Sequence, residues 1–451
     1  MAKNIIEKPP FEYKYGLYDI FNAKNREYYH NYKEVDEKGR YLYWDQFRYR
    51  VKENDDSKIA WYATKIARVH GRKILHLNDK KDEYFSFSTP DSLSAKLYKI
   101  INLSREGIVP KNSIKQQYLI PSLLMEEAIS SSQLEGASTT RRVAKDMLVS
   151  KRKPKSEDEQ MIINNYLLMK KVKELKNEEL SIDMILELHS IATQYTTHNG
   201  VIAGEFRDNN EIYIADGDDN VIYQPPCHSE IEKRVHQLCM FANSEHSGEN
   251  NTAFINPVIK AIILHFMIGY IHPFSDGNGR TARALFYWFM LKNNFDYFEY
   301  ISISKLLKVA PKKYSFSYLY SEIDDNDLNY FIYYQVDVIL RAIDELIEHL
   351  KEKSEDFREI LVMLDNTTIG NKLNFIQKDI VKKAIKNPGR IFTSNEIVVD
   401  YNISANSARK YLNSLVKYKI LASYKDGKAV HYIAPANIKE MLNHKESNEN
   451  R

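Results

Sequence analysis

The chain has 451 residues, 43% of them apolar and 28% charged, enough for about three domains at roughly 150 residues each. Only 15 glycines, 13 prolines and two cysteines occur, which excludes collagen-like, low-complexity and disulfide-scaffold classes and predicts a mainly α protein. The net charge of +3 is uneven, because residues 371–451 carry 15 Lys and Arg against 7 Asp and Glu, leaving 49 against 54 for the rest. A basic tail on a mildly acidic body points toward nucleic acid as one partner class.

The first residues, MAKNIIEKPPFEYKYG, lack the apolar stretch of a signal peptide. Residues 1–90 are Tyr-rich and hold short β-prone runs such as ARVHGRKILHL and DEYFSFS, so a small α/β extension is expected there. Helical periodicity dominates from Asp91 onward. A helix is predicted to open near Pro121, run through LLMEEAISSSQL and stop at Gly136. The stretch KRKPKSEDE reads as an exposed loop, and MIINNYLLMKKVKEL as an amphipathic helix. Ser181 is placed to cap the helix SIDMILELHSIAT. Glu211–Ile214 and Val221–Tyr223 alternate like strands around the turn ADGDDN, in which Gly217 sits. Helices are predicted again over Glu230–His246, Pro257–Tyr270 and Leu328–Glu355. The most apolar run, Ala261–Ile271, contains His265 and is too short to cross a bilayer. A cytoplasmic protein without membrane association is the resulting expectation.

The densest chemistry lies in His272-Pro273-Phe274-Ser275-Asp276-Gly277-Asn278-Gly279-Arg280-Thr281-Ala282-Arg283, between two apolar helical patterns. This is a loop feeding a helix N-terminus, where Gly277 and Gly279 allow close backbone approach and the helix end favours an anion. Arg280 and Arg283, three apart on one helix face, suit a polyphosphate better than a single phosphate. Asp276 offers a hard oxygen for Mg²⁺, and His272 can serve as a general base near neutral pH. His189 and His265 lie on apolar helical faces and read as core residues.

At these residues the sequence resembles the Fic family, whose signature HPFx(D/E)GNGRxxR is matched at every specified position. The likeness extends over roughly residues 95–355 and includes GEFR, Gly204–Arg207, as the family's Gly-x-aromatic-Arg element. It implies a Fic-type helical bundle with a small β-hairpin flap, and transfer of AMP from ATP to a Ser, Thr or Tyr hydroxyl of a protein. His272 would take the hydroxyl proton and Asp276 would hold Mg²⁺. Gly277, Asn278 and Gly279 would bind the α- and β-phosphates, Arg280 the β-phosphate and Arg283 the γ-phosphate. Ser131-Ser132-Gln133-Leu134-Glu135-Gly136 fits the family's inhibitory motif (S/T)xxxE(G/N). By that resemblance Glu135 pairs with Arg283 and denies the γ-phosphate its partner. The hairpin resembles the flap that holds a target segment by strand addition, with Ile214 and Tyr223 as candidate clamps. The organisation expected is an extension over 1–90, helices with the inhibitory motif over 91–200, the catalytic core over 201–355 and a winged helix over 356–451.

Residues 374–435 predict that last unit in detail. FIQKDIVKKAI, the capped helix TSNEIVVDY and the helix ANSARKYLNSLVKYKI are followed by the strand pair SYKDGKAVHYIAP with Asp426-Gly427 at its turn. Arg409, Lys410 and Lys417 would meet a DNA backbone; docking of a protein partner or dimerisation fits equally. Three functions stay open on the residues: a self-inhibited adenylyltransferase, a DNA-binding regulator whose core senses nucleotide, and a transferase for another group. Self-modification and a homodimer are left open as well, as is removal of AMP.

Overall fold

A computed structural model of the chain describes residues 6–10, 26–106, 125–196, 200–215, 221–250, 252–365, 370–401, 403–427 and 429–438. It is mostly helical, as expected. The expected helix start at Pro121 and the hairpin turn at Gly217 lie outside the described residues. The chain divides into two units, one of residues 1–106, 127–138 and 156–342, the other of residues 107–126, 139–155 and 343–451.

Two helices form the centre of the first unit. Helix Pro257–Ile271 opens with Pro257 in its first turn and the Asn256 side chain accepting from the Val258 N–H, a start that presets the backbone and satisfies an orphan donor. It is buried on nearly every face, as its uniformly apolar sequence requires. Helix Asn278–Lys292 packs against it and is buried along most of its length. Helices Glu157–Glu174 and Ile182–Thr193 cover the second of these, and Ile231–Asn243 covers the first. Ser181 caps Ile182–Thr193 by accepting from the Met184 N–H. The short hairpin of Ile214–Ala215 and Val221–Tyr223 is antiparallel, with Ile214 opposite Tyr223.

Residues 1–90 do not stand apart: their described part belongs to the same unit as the central helices. Helix Ser57–His70 places Lys65 and Arg68 on its buried face, with Arg72 just beyond. Lys65 Nζ lies 2.8 Å from Asp324 Oδ1, and Arg72 Nη2 lies 3.1 Å from Asp327 Oδ2. Arg68 donates to Tyr330 Oη at 2.7 Å and the Leu42 carbonyl at 2.9 Å, and its guanidinium stacks 3.7 Å from the Tyr41 ring centroid. Asp327 also accepts from Tyr41 Oη at 2.5 Å. The strands Lys73–Asn78 and Tyr84–Phe87 pair antiparallel beyond this cluster. Their connection reaches the central helices: the Lys80 N–H donates to Tyr270 Oη at 2.9 Å, and Arg234 donates to the Asn78 and Asp79 carbonyls.

The second unit has its own apolar core, built on Ile380, Phe392, Ile397, Ala408, Leu412, Leu415 and Tyr432. Helices Phe375–Lys386, Ser394–Tyr401 and Ala405–Lys417 surround it, the last capped by Ser404. Strand Ile391–Thr393, of which the sequence analysis placed only Thr393, at a helix start, joins the two expected strands. The resulting sheet has Ala429–Ile433 in the middle, between Ile391–Thr393 and Ala422–Asp426. Helix Arg141–Ser150 packs on Ser394–Tyr401. Among the described residues no helix is long and apolar enough to cross a membrane.

The buried cluster gives a stability test. Asp327 accepts from both Tyr41 and Arg72, so Asp327→Ala leaves a guanidinium and a hydroxyl buried without their acceptor. A loss of about 3–5 kcal/mol is expected, read as a lower urea midpoint for the full chain.

Candidate functional site

The loop between the central helices is held by contacts from three directions. His272 ends the first helix in a left-handed conformation, φ 49°, with its N–H on the Ile268 carbonyl. Gly277 begins the second at φ 81°. A Cβ on Gly277 would stand 2.6 Å from Thr193 Cγ2, so glycine is required there by both backbone and space. Asn278 spans the loop, accepting from the Phe274 N–H at 2.9 Å and donating to the Phe274 carbonyl at 2.7 Å. Its side chain is thereby committed to bracing, which leaves its backbone N–H as the group to offer an anion.

Arg207 braces the other side. Its N–H donates to the Pro273 carbonyl, Nε to the His272 carbonyl at 2.9 Å, and Nη2 to the Pro226 carbonyl at 2.5 Å. The Gly-x-aromatic-Arg element therefore clamps the loop to the chain that follows the hairpin.

His189 adds a brace that the sequence analysis read only as core. It is fully buried and stacks on Phe274 with ring centroids 3.6 Å apart. The Gly204 N–H donates to Nδ1 at 3.1 Å, which leaves the proton on Nε2 to donate to the Asp276 carbonyl at 2.9 Å. Burial, and to a lesser extent Arg280, pushes its pKa down to about 4, against the opposing Asp276 contact. A neutral imidazole with a fixed tautomer results. No spacing in the sequence signals this role: His189 and Thr193 are i and i+4 on one face, but that they both meet the loop at Gly277 emerges only from the fold. His265 is the buried core residue expected, bonded through Nε2 to Tyr314 Oη at 2.8 Å.

His272 lies half-buried where two lobes of a cleft meet. Burial, with the Arg207 charge, brings its pKa down to about 4, although the Gly269 carbonyl and Glu135 pull the other way. Nδ1 faces that carbonyl at 3.4 Å, which turns Nε2 outward as a lone-pair donor. One lobe, of about 430 Å³, is polar and runs along the loop from Ser275 to Gly279 and past Glu211–Tyr213. The other, of about 200 Å³, is apolar and is lined by Ile214, Ile222, Tyr223, Tyr318 and Leu319. Glu135, His272, Asn278 and Gly279 border both. Tyr223 is buried, with its hydroxyl on the Tyr270 carbonyl at 2.5 Å, so it faces the apolar lobe instead of the hairpin's outer edge. Ile214 lines the same lobe.

The two arginines are almost fully buried. Arg280 donates to Asp276 Oδ2 at 2.5 Å and to the Ala192 carbonyl at 2.6 Å, while its Nε has no partner among the described residues. Arg283 is committed more heavily. Its Nε and Nη2 donate to Ser131 Oγ at 3.0 and 2.8 Å, and Nη2 also donates to Glu135 Oε1 at 2.7 Å. Residues 125–134 are helical and carry Ser131, with Glu135 one residue past the helix and Gly136 at φ 100°. Burial opposes charge on Glu135, but Arg283 and Arg280 together hold its carboxyl below the usual range. A Cβ on Gly279 would stand 2.2 Å from Glu135 Oε1. The carboxylate therefore rests over the helix N-terminus, where an anion would bind.

Asp276 has a side chain partly open to the polar lobe, with one oxygen on Arg280. Among the described residues no group of three or more His, Cys, Asp or Glu could hold a metal ion. A single carboxylate beside a phosphate-sized anion site suits Mg²⁺ that arrives with its nucleotide, since this ion takes one or two carboxylates plus phosphate oxygens.

Residues 179–290 match the Fic/DOC family, and the match contains the whole loop but not Ser131 or Glu135. Over 244 residues the chain is 24% identical to protein adenylyltransferase Fic of Nematostella vectensis, covering 49% of this chain and 51% of that protein. It is 34% identical over 107 residues to protein adenylyltransferase Fic of Drosophila ananassae, covering 24% and 19%. The chain thus spans about half, or less, of the length of these relatives. A Fic family protein from Desulfovibrio desulfuricans G20 superposes with a TM-score of 0.47 at 16% identity, covering 76% of this chain and 94% of that one.

His189→Phe keeps an aromatic ring against Phe274 but removes both hydrogen bonds to the loop. It should cut turnover about 100-fold, the cost of a misplacement near 1 Å, with a thermal midpoint close to wild type. A rate within threefold of wild type would refute the bracing role.

Proposed function

We propose that this chain, whose residues 179–290 match the Fic/DOC family, is a self-inhibited protein adenylyltransferase. The observation that carries the reading is the place of Glu135, which occupies with a protein carboxylate the anion site formed by Arg283 and the helix N-terminus. Such a site suits a polyphosphate once the carboxylate leaves.

The chemistry follows from the residues present. The N–H groups of Asn278, Gly279 and Arg280 lie in the first turn of a helix and lack helical acceptors, so they face the charge that grows on a phosphoryl group. Arg280 and Arg283 hold the outer phosphates. His272, uncharged at neutral pH, accepts the proton of a target Ser, Thr or Tyr hydroxyl. That oxygen bonds to the α-phosphorus as the bridging α–β P–O bond breaks, and pyrophosphate leaves with the electron pair. Asp276 would hold Mg²⁺, which would neutralise phosphate charge when bound. A target segment would lie along the hairpin, with Ile214 and Tyr223 forming the wall behind it. A cytoplasmic location, where ATP is supplied, goes with this reading.

Inhibition is electrostatic in origin. Arg283 is buried, and a buried guanidinium without an anion is costly, so Glu135 and the γ-phosphate compete for one cation. Replacing Glu135 by glycine leaves Ser131 as a partial partner and opens the anion site.

The second unit is read as a partner module. Its three helices and three-stranded sheet have the composition of a winged helix, with Arg409, Lys410 and Lys417 on the last helix. Binding of DNA through it would weaken steeply with salt.

Glu135→Gly should raise AMP transfer at least tenfold, and His272→Ala should abolish it. Intact mass of the protein and of added substrates, after incubation with Mg²⁺ and ATP, would show an increment of about 329 Da, one AMP moiety. No increment with any variant would overturn the reading. Because His272 must be unprotonated to act, the acid limb of the rate should fall near pH 4. A midpoint near the ordinary histidine value of about 6.5 would show that burial does not govern it.

A further inference from the structure

Glu135 is not the only acid that the inhibitory segment places in the core. Glu127 lies eight residues before Glu135 and four before Ser131, so the three fall on one face of helical residues 127–134 and the position just past them. Glu127 is 3% exposed, and its carboxyl is fully engaged. Oε2 accepts from Ser302 Oγ at 2.7 Å and from the Ser304 N–H at 3.2 Å, while Oε1 accepts from Ser304 Oγ at 2.6 Å. Three donors converging on one side chain make a socket that an acceptor-only group fills. The socket is itself fixed, because Ser302 caps helix Ile303–Val309 by accepting from the Lys305 N–H and Ser304 is buried.

The partners of these residues run the opposite way along helix Asn278–Lys292. Glu135 rests over Gly279, Ser131 Oγ accepts from Arg283, and Glu127 faces Tyr287. Both sets advance in steps of four, so the inhibitory segment lies antiparallel on the helix, turn against turn. We propose that Glu127 is a positioning residue for inhibition: seated between Ser302 and Ser304, it sets the register in which Ser131 and Glu135 reach Arg283. This rests on the reading of Glu135 as the inhibitory anion.

Glu135 depends on such an anchor. It stands one residue past the helical stretch and next to Gly136 at φ 100°, so nothing C-terminal to it continues the helix. A slip of one turn, about 5.4 Å, would carry its carboxylate beyond hydrogen-bond reach of Arg283. Two further contacts hold the segment between the two acids. Asn165 Nδ2 donates to Ser132 Oγ at 2.7 Å, and Lys308 Nζ donates to Gln133 Oε1 at 2.7 Å. The second is exposed, where water competes for both groups. Neither lobe of the cleft is lined by Glu127, Ser302 or Ser304, so the socket acts on a nucleotide only through the segment it holds. Loosening it frees Glu135 for part of the time, and ATP then binds in proportion to the freed fraction.

Two conservative changes in the full chain provide the test. Glu127→Gln keeps the volume but turns an amide nitrogen toward these donors, and Ser304→Ala deletes one donor from the other side. Each should tighten binding of a non-hydrolysable ATP analogue about tenfold by calorimetry, the scale of one buried polar group left without its partner. AMP transfer should rise in step. Binding of AMP, which has no outer phosphate to compete with Glu135, should be unchanged. Added to Glu135→Gly, neither change should bring a further gain, because the anion it releases is already gone. ATP affinity at the wild-type value in both variants would overturn the proposal. So would a shift shared by ATP and AMP, which a general loosening of the fold gives, or a gain that persists in Glu135→Gly. Unchanged ATP binding in Glu135→Gly itself would refute the inhibitory reading of Glu135, and this proposal with it. Tighter ATP binding confined to chains that keep Glu135, with no AMP transfer by any variant, would instead refute the adenylyltransferase reading and leave the register role of Glu127 standing.

Discussion

A buried guanidinium demands an anion, and in this protein the demand of Arg283 organises the site. Its side chain is 2% exposed, so water cannot serve as its partner. Ser131 Oγ accepts two hydrogen bonds and Glu135 supplies the charge. Because the same guanidinium sits one helical turn beyond the anion loop, its counter-ion and the terminal phosphate of a nucleotide would exclude one another. On the proposed reading, regulation would need no separate device: it would follow from one cation and two anions that cannot both be present. Arg280 differs in this respect, since it pairs with Asp276 inside the loop and remains partnered whether or not Glu135 is there.

The loop itself is rigid because other parts of the chain answer its backbone groups. Arg207 takes the His272 and Pro226 carbonyls, His189 the Asp276 carbonyl, and Asn278 both polar groups of Phe274. Preorganised N–H groups stabilise developing charge without reorganising during reaction, so in the proposed reaction these braces would act on catalysis without touching substrate. Burial works in the same direction on His272 and His189, keeping both imidazoles neutral. One is then able to accept a proton, and the other keeps a fixed donor on the loop.

What the sequence disclosed follows from how local each interaction is. His272 to Arg283 fall within twelve residues, and a helix N-terminus with two phased arginines can be read from spacing alone. Ser131 and Glu135 sit four apart, which fixes their shared face but not their partner 148 residues away. His189 could not be told from an ordinary core histidine, because its meaning lies in a carbonyl 87 residues distant. Strand Ile391–Thr393 escaped for a similar reason: three residues carry no periodicity, and only pairing with Ala429–Ile433 makes them a strand. The role of residues 1–90 was hidden as well. Lys65, Arg68 and Arg72 share one face of a helix, but the carboxylates that make their burial tolerable lie near residue 325.

That distant pairing links the extension to the cleft. Asp324 and Asp327 anchor helix Ser57–His70 directly after Glu322 in the chain, and the turn at Asp79–Lys80 reaches Tyr270 and Gln224 on the cleft's other wall. The N-terminal segment thus fixes both the end of helix Pro311–Ile323 and the base of the hairpin, the two sides of the apolar lobe. A segment whose sequence names no chemistry therefore braces both sides of the lobe.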